Sequence, residues 1–420
     1  MSKALPIAIL VLSSAVHAQS WRATERELRD AMVKKDQPAM KAAAVKLLAE
    51  RGTPTDLYNV ACLEALSGNA EAGLARLSEL AAMGVWFDFA ADSDLATVRA
   101  LPGYAEVEAK EKAALDPQGT PHKILSLPAG LLPEDVAYDA KTDRYFVSSV
   151  RKKKIVALRP DGTARDFVTE GRDGAWAILG LALDADRRAL WATTAAVPQG
   201  EGYDKADVGR TALLRYDADT GKLKKRYEVA RDGVEHMLGD MTVGPTGDAF
   251  ASDGSNGGAV YMVRAGKDVL ETLVPRGTFA SPQQPAVVAG GKVLIVPDYA
   301  RGLAAVEIAT GAVRFLEGKG LALNGIDGLF AHGGALYAVQ NGNRPARVVR
   351  LWPDAGFTKI ERLEVLEAGT PGLGDPTHGA VVKDEFHFIA NSGWDRMARD
   401  GSVRKDAPPD APELRSVKLK

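Results

Sequence analysis

Cysteine is nearly absent from this chain: Cys62 stands alone in 420 residues. That excludes an intramolecular disulfide and a cysteine-rich zinc site, so stability has to come from packing. An excess of charge is missing as well. The 53 Lys and Arg nearly balance the 55 Asp and Glu, for a formal net charge of −2, which excludes capture of nucleic acid or of any other partner by bulk electrostatics. No stretch approaches the roughly 20 apolar residues that a bilayer crossing needs, so no membrane span is expected. What is present is ordinary for a packed globular protein: 46% hydrophobic and 26% charged residues, which sets aside disordered and collagen-like chains. The length suits two or three domains, or one large all-β unit with a smaller companion.

The opening MSKALPIAILVLSSAVHAQS combines a basic start at Lys3, an apolar run from Ala4 to Val11, and small residues Val16 and Ala18 at the −3 and −1 positions of a cleavage site. This pattern predicts a secretory leader over residues 1–18 and a periplasmic or secreted mature protein. It lacks a twin Arg and a Cys just after the cleavage point, which disfavours Tat export and lipid anchoring.

Residues 19–115 are rich in Ala, Leu, Glu, Lys and Arg, with apolar side chains at helical spacing such as Leu57, Val60, Ala61, Leu63, Ala65 and Leu66. Breaks at Asp36-Gln37-Pro38, Gly52-Thr53-Pro54, Gly68-Asn69 and Gly84 delimit amphipathic helices joined by short turns. A shift of 34 residues brings Ala31 onto Ala65 and Ala43 onto Leu77, and LYNVACLEALSGNAEAGLARLSELAAMG resembles a tetratricopeptide repeat. The head is therefore expected to be a small helical-repeat domain, either a packed cap or a groove for a protein partner. Cys62 reads as a small buried hydrophobe within it.

Past the linker 116–121 the texture changes to short β-branched and aromatic runs broken by Gly, Asp and Pro. Six times the segment 122–420 gives a strand, a tight turn and a second strand, starting at Val136, Leu181, Met241, Ala286, Leu329 and Ala380. Most units add a third strand and a further turn. Aligned on the first turn, Glu134, Leu179, Gly239, Gln284, Asp327 and His378 become equivalent, at separations of 45, 60, 45, 43 and 51 residues. Blades of roughly 40 to 50 residues mark a propeller. The fold class predicted is mainly β, a six-bladed β-propeller preceded by a small all-α domain. A strand over His122–Leu127, or one over Leu414–Leu419, should complete the last blade. The long interval is explained by an insertion from Ala195 to Arg210, either a lid or a surface loop.

Inner strands of a propeller line its central channel, so residues at their starts converge. Here that ring holds two carboxylates, an amide and an imidazole, an arrangement suited to a divalent metal, with calcium favoured by the oxygen donors. His378, on the ring, and His236, four residues before Asp240, are candidates for a catalytic base. No motif for binding an organic cofactor occurs.

The phrases LPEDVAYD, LGDMTVGPTGD and NGIDGLF give residues 122–420 a resemblance to the gluconolactonase and regucalcin family of six-bladed propellers, which includes the senescence-marker protein and luciferin-regenerating enzyme. The resemblance implies a divalent metal held by Glu134 and Asp327. The family places Asn at the starts of blades three and four, where this chain has Gly239 and Gln284. Gln284 still offers a carbonyl oxygen, and Asp240 could stand in for the missing Asn if its strand begins irregularly. Two functions follow as expectations. One is metal-assisted hydrolysis of a small-molecule lactone or ester, with Glu134, Asp327, Gln284 and Asp240 around the metal. The other is non-catalytic binding, in which head and propeller each recognise a partner.

Overall fold

The computed structural model describes residues 7–419 except 256, with side chains from Trp21 onward. Of the expected leader, residues 1–6 lie outside the described residues, and residues 7–18 are described only as backbone of the helix Ile7–Lys34. Among the described residues no helix is long and apolar enough to cross a membrane.

The helices of the head break where the sequence marks them. Asp36 caps Gln37–Arg51 by accepting from the Ala39 amide at 3.1 Å, and Gly52, at φ 65°, ends it in the left-handed region. Thr53 and Asp56 then form a capping box that starts Pro54–Leu66. With Ala70–Ala82 and Tyr104–Ala113 these helices bury Leu57, Leu77, Leu80, Phe89 and Val98, and Ala322 from the propeller joins the same core. Cys62 is buried there, its thiol pushed up to about 12 by burial first and by Asp92 second.

From His122 on, the chain forms six four-stranded antiparallel sheets. Their inner strands are Val136–Asp139, Ala177–Asp184, Leu238–Val243, Ala286–Val288, Ile326–His332 and Gly379–Val382, and each touches the next around a closed ring. Both strands considered for closure take part. Glu413–Lys418 is third in blade six, and His122–Ser126 pairs with it as the outermost strand, so chain start and chain end share one sheet. Apolar residues of adjacent blades fill the wedges between them, as Phe146, Ile155, Ile178 and Leu190 do between blades one and two.

The inner strands are irregular at their entrances. Pairing skips from Leu238 to Asp240 in blade three and from Ile326 to Gly328 in blade five, leaving Gly239 and Asp327 as bulge residues. A bulge re-aims side chains at a sheet's rim, and these two lie at the ring positions.

Candidate metal centre

Glu134, Asp327 and His378, from blades one, five and six, meet in the centre, with one potential ligand atom of each lying within 4.8 Å of the others. All three are buried. A cation bonded at roughly 2.4 Å to each ligand spans donor separations up to about that distance. The imidazole of His378 is fully enclosed; its Nε2 lies 3.4 Å from Asp240 and 3.7 Å from Asp327, and its Nδ1 lies 3.8 Å from Asp135. Neither nitrogen makes a hydrogen bond, and neither does the buried Oε1 of Gln284. Gln284 is tied to the cluster through its backbone N–H, which donates to the Asp327 carbonyl at 3.1 Å, while its side-chain Nε2 donates to the Met241 carbonyl at 3.4 Å. A methyl group added at Gly328 would lie 3.0 Å from His378 Cδ2 and 3.3 Å from Gln284 Oε1, so the glycine lets these two side chains crowd under the ring.

Local chemistry explains why these groups stay where they are. Ser148 Oγ accepts from the amides of Glu134 and Asp135, at 3.4 and 2.8 Å. Thr193 Oγ1 accepts from Gly180 at 2.8 Å and donates to the Gly239 carbonyl at 2.6 Å, while Ser252 donates to the Gln283 carbonyl at 2.7 Å. One hydroxyl from the second strand of each of the first three blades thus fixes the entrance of an inner strand. Asp327 is held by Asn341, whose Nδ2 donates to Oδ2 at 2.7 Å and whose Oδ1 accepts from Tyr299 at 2.9 Å. Trp394 Nε1 donates to Glu134 Oε2.

The charges are crowded. Burial first, then the charge of Asp327, raises Glu134 well above the usual carboxylate range. Burial also pushes Asp240 up to about 7 against the pull of His378, with Asp327 and Asp135 adding to the rise. Asp135 is raised by burial, partly offset by His378. For His378 burial acts downward, but Asp240 and Asp327 outweigh it and hold the imidazole well above its ordinary value. So much buried negative charge around one imidazole is the setting that a cation relieves.

Above the cluster opens a cavity of about 370 Å³, into which Glu134 and Asp327 project. Tyr299, Asn341, Asp375 and Trp394 also line it. Asp240 and Gln284 are buried, and His378 is fully enclosed; none of the three lines the cavity. His236 stands apart: its Nδ1 faces Asp253 Oδ2 at 2.7 Å and its Nε2 faces Asp232 Oδ1 at 3.0 Å, so both nitrogens are engaged by carboxylates away from the centre. Leu179 is buried among Leu132, Val150 and Val197, and Gly239 contributes only backbone.

Several participants escaped sequence reasoning, Tyr299 among them. Asp135 precedes its strand by one residue, and its Oδ2 accepts from Leu181 in the next blade at 2.7 Å. Asp375 and Trp394 come from segments outside the strands of blade six. The hydroxyls at Ser148, Thr193 and Ser252, each two residues after an aromatic in FVSS, WATT and FASD, were a repeating signal for the ring.

No known family profile matches the chain, and no curated protein is similar to it in sequence. Solved structures are similar in fold. The major allergen Mala s 1 of Malassezia sympodialis matches at 14% identity over 71% of this chain and 97% of the allergen, with a TM-score of 0.54. A calcium-binding protein, regucalcin, from Agrobacterium tumefaciens matches at 16% identity over 71% of this chain and 95% of its own, TM-score 0.48. A gluconolactonase from Xanthomonas campestris matches at 14% identity over 72% and 95%, TM-score 0.45. The propeller implied by the sequence resemblance is the fold observed, and identities this low speak to fold alone.

Proposed function

We propose that this protein is an exported, metal-assisted hydrolase of a small lactone or related ester. The observation that carries the reading is the convergence of Glu134, Asp327 and His378 within 4.8 Å beneath an open cavity. Glu134 and Asp327 would hold the metal from the cavity side and His378 from below, with Gln284 Oε1 as a further oxygen donor. Asp240 and Asp135 flank His378, 3.4 and 3.8 Å from its two nitrogens. One imidazole among oxygen donors moves the preference from calcium, the ion favoured by an all-oxygen ring, toward a borderline cation such as zinc or manganese. A divalent ion in this place supplies Lewis acidity toward a substrate carbonyl. The chain's own part is to enclose the polar cluster, fix Asp327 through Asn341, fix Glu134 through Trp394, and leave one side open to a small molecule.

Elemental analysis of the purified protein, thermal shifts on adding calcium, manganese or zinc, and a panel of γ- and δ-lactones test the proposal together. Bound metal, with lactone turnover abolished in Glu134→Gln and Asp327→Asn, is the expected result. A metal-free preparation with no thermal response and no turnover removes it. If both variants keep full biological activity, the alternative of a non-catalytic binding protein takes its place. Export is tested separately, by fractionation and by the N-terminus of the mature chain, expected at Gln19.

A further inference from the structure

The walls of the cavity carry a charge that a metal on the floor does not cancel. Three carboxyl groups, those of Glu134, Asp327 and Asp375, line it, and none of its described lining residues is a lysine or an arginine. A divalent cation between Glu134 and Asp327 offsets two negative charges and leaves Asp375 without a counter-charge. Two aromatic residues share the same space, and the polar atoms of both are committed elsewhere: Tyr299 donates to Asn341, and Trp394 donates to Glu134. What these rings have left for a ligand is π surface. A carboxylate beside a Trp and a Tyr, in a cavity whose described lining holds no lysine or arginine, is the chemistry that recognises an organic ammonium group.

Resting on the hydrolase reading above, we infer that the substrate class is a lactone or ester bearing a cationic nitrogen, with Asp375 as the specificity-determining residue and Trp394 and Tyr299 as the π surface for that nitrogen. Substrates carrying a carboxylate, sulfonate or phosphate are disfavoured by the same groups.

The test compares three γ-butyrolactones substituted at the same carbon by trimethylammonium, tert-butyl or sulfonate, assayed at pH 8 with the metal-loaded protein. The first two substituents match in shape and differ in charge. The expected kcat/KM is at least tenfold higher for the cationic lactone than for the tert-butyl one, with the sulfonate lowest, and Asp375→Asn brings the first two within about twofold. Should that variant not fold, Asp375→Ser serves the same purpose, and the wild-type comparison needs no variant. Tetramethylammonium, titrated by calorimetry, separates the two readings. Turnover without preference for the cationic lactone overturns the present inference and leaves the hydrolase standing. Absence of turnover, with tetramethylammonium binding that Asp375→Asn abolishes, removes the hydrolase and leaves the cation site. Neither turnover nor binding removes both.

Discussion

A side chain at Gly239 would meet no atom within 4 Å, and its φ is not in the left-handed region. The position opens on the ring at the start of blade three, where the family resemblance expects Asn. Gly239→Asn should therefore be accommodated and should add one oxygen donor, raising divalent-cation affinity by about tenfold, the effect of roughly 1.4 kcal/mol. Calorimetric titration of the two proteins checks this, and an unchanged or weaker affinity in a folded variant counts against the assignment of the ring. Asp139 gives a residue-scale prediction of another kind. Paired hydrogen bonds from Arg188, at 2.8 and 2.7 Å, chiefly pull its carboxyl down to about 2. Its folded value lies below the unfolded one, so its contribution is complete above about pH 4 and disappears as the pH falls toward 2. The stability gap between wild type and Asp139→Asn, followed by urea unfolding, should narrow over that window. A gap independent of pH would mean that the pair does not act through charge. Glu134 and Asp327 could be found from sequence because each stands at the same offset from a recognisable turn. Trp394 could not, since it reaches Glu134 from 260 residues away through a segment with no periodicity.

Elements were legible where they repeat and obscure where they do not. Strand, tight turn and strand recur six times, which sets the blades, whereas the excursions 391–412 in blade six and 196–210 in blade two, each between the second and third strands, have no counterpart in the other four. A Cβ on Gly401 of the first would lie 1.9 Å from the Pro198 carbonyl, in the insertion of blade two, so these two irregular segments touch. Their conformations come from tertiary contact, which local propensity does not encode. The closing blade depends on a buried ionic group of the same non-local kind. Arg415, on the strand that pairs with the chain's first strand, donates to Glu367 at 2.7 Å and also bonds Glu413. Glu367 is fully buried and raised by that burial, so losing its cation is costly. Arg415→Met should destabilise the protein by about 3 kcal/mol, and adding Glu367→Gln should recover part of the loss. Urea unfolding of both variants is the measurement, and a loss under about 1 kcal/mol for the single variant would show that the ring closes by backbone pairing and apolar packing alone.

For the molecule as a whole, the question is how the head and the propeller are joined. The linker is one tie: Gln118 bridges to Ala368, and Gly119, at φ 85°, passes so close to the Leu366 carbonyl that a Cβ would lie 2.0 Å from it. Arg301 of blade four adds a second by donating to the Glu50 carbonyl at 3.3 Å, Arg22 of the head donates to the Phe279 carbonyl, and blade five supplies more. The Trp86 amide donates to the Arg344 carbonyl at 2.7 Å, the Arg344 guanidinium lies 4.1 Å over the Trp86 ring, and Arg347 Nη1 donates to the Gly84 carbonyl at 2.9 Å. Arg347 is 1% exposed, and burial alone draws its guanidinium down to about 10. A charged side chain so enclosed is retained at a cost of desolvation, and the groups that offset it, Gln340 on its own sheet and the carbonyl of Gly84 on the head, lie on both sides of the junction. Replacing it by Met leaves those acceptors without a donor, at about 1–3 kcal/mol each if they stay buried. Arg347→Met should therefore loosen the docking of the head, with faster amide hydrogen exchange along Ala70–Ala82 and Tyr104–Ala113 and little change in the inner strands of blades one to four. Under the proposed function, lactone turnover, whose groups are drawn from the propeller, should persist in the same variant. Equal acceleration in helices and blades would show instead that Arg347 serves the interior of blade five, and that the head is held by its other ties, among them the apolar contact at Ala322, the Arg301–Glu50 bond and the linker.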